Sequence, residues 1–118
     1  MPSSRPELRR GRVIWASIRD HRGIPKDRPL IVLTPTDELP DEVFEVVVVT
    51  TTFADPPPED HIPLPCQPQG RVGTQLRRRS AAVLTWIGEV HPDDVIRLYG
   101  DVPVHLMTQI LQRIGRPS

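Results

Sequence analysis

The chain has 118 residues, enough for one domain around one modest core, and its single cysteine, Cys66, excludes an internal disulfide framework and suits a reducing compartment. No apolar run approaches the length of a membrane span, and Met1-Pro2-Ser3-Ser4-Arg5 lacks the apolar core of a signal peptide, so a soluble cytoplasmic protein is expected. The formal net charge is zero, which by itself argues neither for nor against a nucleic-acid partner.

Taken in chain order, residues 1–10 read as a disordered polar tail and 11–118 as the folded domain. Residues 11–19 form a first strand, and 20–27 a charged loop around Gly23, Pro25 and Lys26. Residues 30–34 give a second, short, buried strand, followed by an acidic turn-rich connection over 35–41. The chain is organised around 43–52, where Val46-Val47-Val48-Val49 runs into Thr50-Thr51-Thr52. β-Branched residues favour a pleated strand, and four valines without polar alternation predict a central strand covered on both faces.

Pro56-Pro57-Pro58 cannot join a ladder and reads as a stiff loop. Residues 61–65 suit an edge strand, and 66–79 a second flexible segment ending in Arg77-Arg78-Arg79. Residues 80–90 form the last long strand, with Gly88 marking a bulge or a close approach. Residues 91–96 read as one helical turn opened by Pro92 and two acids. Over 103–114, Val104, Met107, Ile110, Leu111 and Ile114 make one apolar helical stripe, closed by Gly115 and Pro117. The order predicts a mainly β domain with a C-terminal helix: a small, strongly curved antiparallel sheet or partly open barrel.

Charge is unevenly distributed. Residues 1–28 hold eight basic and three acidic residues, 71–79 hold four arginines and no acid, and 37–60 hold eight acids and no base. Fourteen of the fifteen cationic residues are arginine, whose planar fork binds phosphate bidentately. The same excess, with the fifteen prolines, is also what a high-GC genome produces.

In this order the residues resemble the MazF/PemK/Kid toxins, sequence-specific endoribonucleases of type II toxin–antitoxin systems. Gly11-Arg12-Val13-Ile14-Trp15 is similar to the family's opening Gly-x-Ile/Val-x-Trp strand. Arg28-Pro29-Leu30-Ile31-Val32-Leu33 resembles its Arg-Pro-x-Val-Val-Leu. Val47 to Thr52 looks like the strand ending in Thr-Thr or Thr-Ser, and Leu76 to Ser80 like the Leu-x-x-x-Ser block. The resemblance implies an SH3-like curved antiparallel β-barrel of the CcdB/PemK kind, forming a homodimer. It also implies cleavage of single-stranded RNA without metal or other cofactor, by attack of the 2′-OH, and an antitoxin with an acidic C-terminal segment. Carried over by position, the catalytic residues are Arg28 and Thr51, with Thr52 beside it. Two departures stand out: the first long loop lacks the family's Gly-Ser-Glu-Gln, and its acidic-Gln pair falls here on Thr85-Trp86.

The chemistry of those residues is consistent with the implied role. A guanidinium stabilises charge on phosphoryl oxygens, and a threonine hydroxyl can bond a phosphate oxygen or orient the 2′-OH. His21 and Lys26 in the first loop, the Arg77, Arg78 and Arg79 cluster, and Trp86 as a stacking platform are the candidate RNA contacts. Each also has an ordinary alternative: an idle loop histidine, a solvated strand end, a core tryptophan. His61, His91 and His105 are scattered with no metal-site spacing. Two functions stay open, an RNA-cleaving toxin and a catalytically degenerate SH3-like module that binds RNA or a protein partner.

Overall fold

The computed structural model describes residues 8–20, 22–36 and 43–117. Its strands are β1 (Arg12–Arg19), β2 (Pro25–Val32), β3 (Phe44–Thr50), β4 (His61–Leu64), β5 (Ser80–Val90) and β6 (Val95–Asp101), followed by helix α1 (Val104–Arg113). They form one antiparallel sheet in the order β4-β5-β3-β2-β1-β6.

β3 is central and covered on both faces, as its valine run predicts. Val47 and Val49 join one core with Val13, Ile31 and Met107, Ile110 and Leu111 of α1. Val46 and Val48 join a second core with Ile14, Leu30, Val32 and Phe44. The strand period of two thus divides one valine run between two cores. Each buried valine contributes on the order of 1.5–3 kcal/mol.

The sheet coils upon itself. Ile18 in β1 and Gly88 in β5 are separated by β2 and β3 in the sheet, yet a Cβ on Gly88 would lie 2.5 Å from Ile18 Cδ1. Only a strongly twisted sheet brings those strands face to face. Gly88 is therefore a close approach. The bulge lies earlier in β5: Val47 pairs with Ile87 and Val48 with Val83, so Leu84, Thr85 and Trp86 have no partner on β3. It reverses the side-chain phase, with Leu84 in the first core and Trp86 against the second.

Several boundaries differ from the sequence reading. β2 starts at Pro25, because Pro25–Arg28 pairs with Ala16–Arg19 instead of looping out. The loop shrinks to a turn in which Asp20 Oδ1 accepts from the amides of Arg22 (2.8 Å) and Ile24 (3.0 Å). β3 ends at Thr50, and the helical turn is confined to Pro92–Asp94. β6 is an element that the sequence reading lacks; Ile96 and Arg97 are exposed, so it shows no clean apolar alternation. In α1, Val104 is exposed and the buried stripe is Met107, Ile110 and Leu111. Leu8, Arg9 and Arg10, read as tail, are engaged: Leu8 is buried, Arg9 makes a two-pronged pair with Asp101 (2.9 and 2.8 Å), and Arg10 Nε donates to Leu33 O (2.7 Å). His21 and residues 37–42 of the acidic connection lie outside the described residues.

Candidate nucleic-acid interface

A cleft of about 1070 Å3 opens beside the end of β3. One wall is the start of β2 and the end of β3, with Lys26, Asp27, Arg28, Thr50, Thr51 and Thr52. The other is β6 and the segment before β5, with Arg71, Arg77, Arg78, Arg97 and Tyr99. Trp15, Val49, Leu76 and Ser80 also line it. Six cationic side chains (Lys26, Arg28, Arg71, Arg77, Arg78, Arg97) thus face one carboxylate, Asp27, among the described lining residues. A concave surface lined by one sign of charge concentrates field lines and attracts a polyanion.

The second wall is built by a segment read from sequence as flexible, which its hydrogen bonds contradict. Thr74 is fully buried; its Oγ1 donates to Pro65 O (2.6 Å) and accepts from Leu76 N (3.2 Å). Gln67 Oε1 accepts from the amides of Gln69 (2.7 Å) and Arg71 (2.9 Å). The amides of Gly100 and Asp101 in β6 donate to Thr74 O (3.1 Å) and Gly73 O (2.9 Å). These bonds tie the 65–76 segment to the end of β6, and Arg71 lies within that segment, with Arg77 and Arg78 directly after it.

Arg28 is half-buried, on the same strand face as Leu30 and Val32. Its guanidinium carbon lies 4.8 Å from the centre of the Trp86 ring. Its Nε is buried without a hydrogen-bond partner, and among the described residues no carboxylate pairs with it. A buried guanidinium nitrogen normally finds an acceptor, so Arg28 has donor capacity that no described residue uses.

The hydroxyls come from the turn that ends β3. Thr50 Oγ1 accepts from Thr52 N (3.1 Å) and donates to Thr52 O (3.2 Å), folding the chain back locally. Thr51 and Thr52 are left exposed on the cleft wall.

Six sequence candidates therefore line one cleft: Lys26, Arg28, Thr51, Thr52, Arg77 and Arg78. Arg79 does not join them. It donates to Phe53 O (2.9 Å) and Ala54 O (3.0 Å) and lies 3.7 Å from the centre of the Phe53 ring, tying down the segment after the threonines. Trp86 lies against Arg28 and is not among the lining residues. Thr85 donates to Asp60 Oδ2 (3.1 Å), and Asp60 Oδ1 bonds His61 Nδ1 (2.8 Å). That histidine bond holds the Asp60 carboxyl below its ordinary value. Sequence reasoning missed Arg97, Tyr99, Trp15 and Ser80 as lining residues. Arg97 and Tyr99 sit on the unexpected β6, while Arg71 was visible only as part of a charge run. Among the described residues no three His, Cys, Asp or Glu side chains gather as a metal site.

Solved structures share this architecture. A chain of the MazE–MazF complex of Deinococcus radiodurans aligns with a TM-score of 0.67 at 13% identity, over 92% of each chain. A second form of that complex gives 0.60 at 12% identity over the same shares. An endoribonuclease in complex with its cognate antitoxin, from a mycobacterial species, gives 0.58 at 16% identity, covering 94% of this chain and 98% of that one. No family model matches the chain, and no curated protein sequence matches it significantly. At these identities the likeness is one of fold, and over nearly its whole length the chain has the fold of these MazF and endoribonuclease structures.

Proposed function

We propose that this chain is the toxin of a type II toxin–antitoxin pair, a MazF/PemK/Kid-like endoribonuclease that cuts single-stranded RNA in the cationic cleft. The observation that carries the reading is Arg28, whose half-buried side chain has no carboxylate partner among the described residues and which lines the same cleft as Thr51 and Thr52. In the reaction the 2′-oxygen attacks the adjacent phosphorus and the bond to the 5′-oxygen breaks. The products are a 2′,3′-cyclic phosphate and a 5′-OH; the 2′-OH loses its proton and the leaving oxygen gains one. Arg28 stabilises charge on the non-bridging oxygens, and its high pKa suits it to electrostatic work over proton donation. Thr51, with Thr52 beside it, hydrogen-bonds a phosphate oxygen or orients the 2′-OH. Lys26, Arg77 and Arg78, joined by Arg71 and Arg97, follow the flanking phosphates.

The same reading makes the protein a cytoplasmic homodimer, inhibited by an antitoxin whose acidic C-terminal segment competes with RNA for the cleft. Light scattering showing a monomer mass at micromolar concentration would remove the dimer. A second reading, a non-catalytic RNA- or partner-binding module, is favoured by Thr85-Trp86 standing where the family has its acidic-Gln pair, with the Thr85 hydroxyl tied to Asp60. Incubation with single-stranded RNA separates the two. A toxin yields cyclic-phosphate ends with or without EDTA, and Arg28→Ala stops cleavage at an unchanged melting temperature. RNA binding without cleavage by the wild-type chain selects the module.

A further inference from the structure

We infer that Trp86 is the positioning residue for Arg28: its indole face supports the guanidinium and fixes where that charge meets the RNA phosphate. The inference rests on the reading of Arg28 as the cation at the reacting phosphate, and it gives Trp86 a different task from stacking on a base. Two sets of observations support it independently.

First, Arg28 lacks the usual means of orienting an arginine. Among the described residues no carboxylate pairs with its guanidinium, and its buried Nε has no acceptor. What remains is a ring whose centre lies 4.8 Å from its central carbon, within the range of a cation–π contact. An aromatic face holds a guanidinium without consuming its N–H donors, which a carboxylate would occupy. The donors therefore stay available for phosphate oxygens.

Second, the backbone is arranged to put the ring there. Ala82 and Leu84 of β5 belong to the core beneath α1, and an unbroken strand would send residue 86 to that side too. The unpaired Leu84–Trp86 stretch reverses the phase and turns Trp86 to the face that carries Arg28, Leu30 and Val32. There the indole packs against the second core and is itself held. Arg28 is among the residues that line the cleft and Trp86 is not.

The test compares Trp86→Leu and Trp86→Phe with the wild-type chain and Arg28→Ala. Leucine keeps apolar bulk without a π face; phenylalanine keeps a weaker one. Trp86→Leu is expected to lower kcat about 10–100-fold, the scale of a misplaced catalytic group, with KM for RNA nearly unchanged. Trp86→Phe restores most of kcat. A second readout is independent of activity: the Arg28 Nε–Hε NMR signal, shifted upfield by the indole ring current, moves to its solvent value in Trp86→Leu and stays partly shifted in Trp86→Phe. An unchanged kcat or an unchanged Arg28 signal in folded Trp86→Leu overturns the inference. So does a raised KM at constant kcat, which marks Trp86 as an RNA contact. Full cleavage by Arg28→Ala overturns the reading of Arg28 itself, before any Trp86 variant is made.

Discussion

Gly100 of β6 and Gly73 of the cleft wall are in backbone contact: a Cβ on Gly100 would overlap Gly73 O and lie 2.8 Å from its carbonyl carbon. No side chain can rotate away to relieve that overlap, so any other residue must push the 65–76 segment off β6. Gly100→Ala is expected to destabilise by about 1–3 kcal/mol, as overpacking does. Exchange of the Gly100 and Asp101 amides should accelerate, because their acceptors are Thr74 O and Gly73 O. RNA affinity should fall with them, since Arg71, Arg77 and Arg78 ride on the displaced wall. Protected amides in Gly100→Ala would show that the wall does not depend on this contact.

Thr74 is the internal tie of the same wall. Replacing it by valine keeps its shape but leaves Pro65 O and Leu76 N without their side-chain partner. The expected cost is about 1–3 kcal/mol, and Thr74→Ser, which retains the hydroxyl, should recover most of it. Thermal melting of the two variants checks this, and equal melting temperatures would remove the hydroxyl from the account.

The three consecutive arginines should behave differently. Arg77 and Arg78 line the cleft, whereas Arg79 is bonded to Phe53 O and Ala54 O. Neutralising Arg77 and Arg78 to glutamine should lower the salt dependence of RNA binding by about 0.7 log units for each phosphate that the variant no longer neutralises. Arg79→Gln should leave that slope unchanged while loosening residues 53–54. A slope that changes equally for all three positions would place Arg79 on the RNA as well.

Acid should release the N-terminal segment. The Arg9 guanidinium hydrogen-bonded to Asp101 holds that carboxyl below its ordinary value, so the folded state binds fewer protons than the unfolded chain between the two values. The pair's contribution is complete above the ordinary carboxylate range, near pH 4, and is lost as pH falls through the lowered value. The side chains are 44% and 43% exposed, so solvent screening limits the contribution to about 0.2–1 kcal/mol. Asp101→Asn should flatten the pH dependence of unfolding in that acidic window and change little at neutral pH. An identical acid limb in wild type and variant would show that the pair carries no linkage.

Local chemistry alone determined much of this protein. The valine run could only be a doubly covered strand, because period-two geometry sends Val46 and Val48 to one side and Val47 and Val49 to the other. The terminal helix was legible in its apolar spacing, while Arg28, Thr51 and Thr52 were singled out by the resemblance of the motifs around them, and the fold brings all three to the lining of one cleft. Tertiary structure decided the rest. β6 carries too few buried residues to declare itself, and it becomes a strand because β1 offers an open edge. Coiling of the sheet makes Gly88 a contact with Ile18. A bulge in β5 turns Trp86 toward Arg28, and long-range bonds separate Arg79 from Arg77 and Arg78. Composition places arginines in the chain, but only the partners across the fold decide which are tied and which face the cleft.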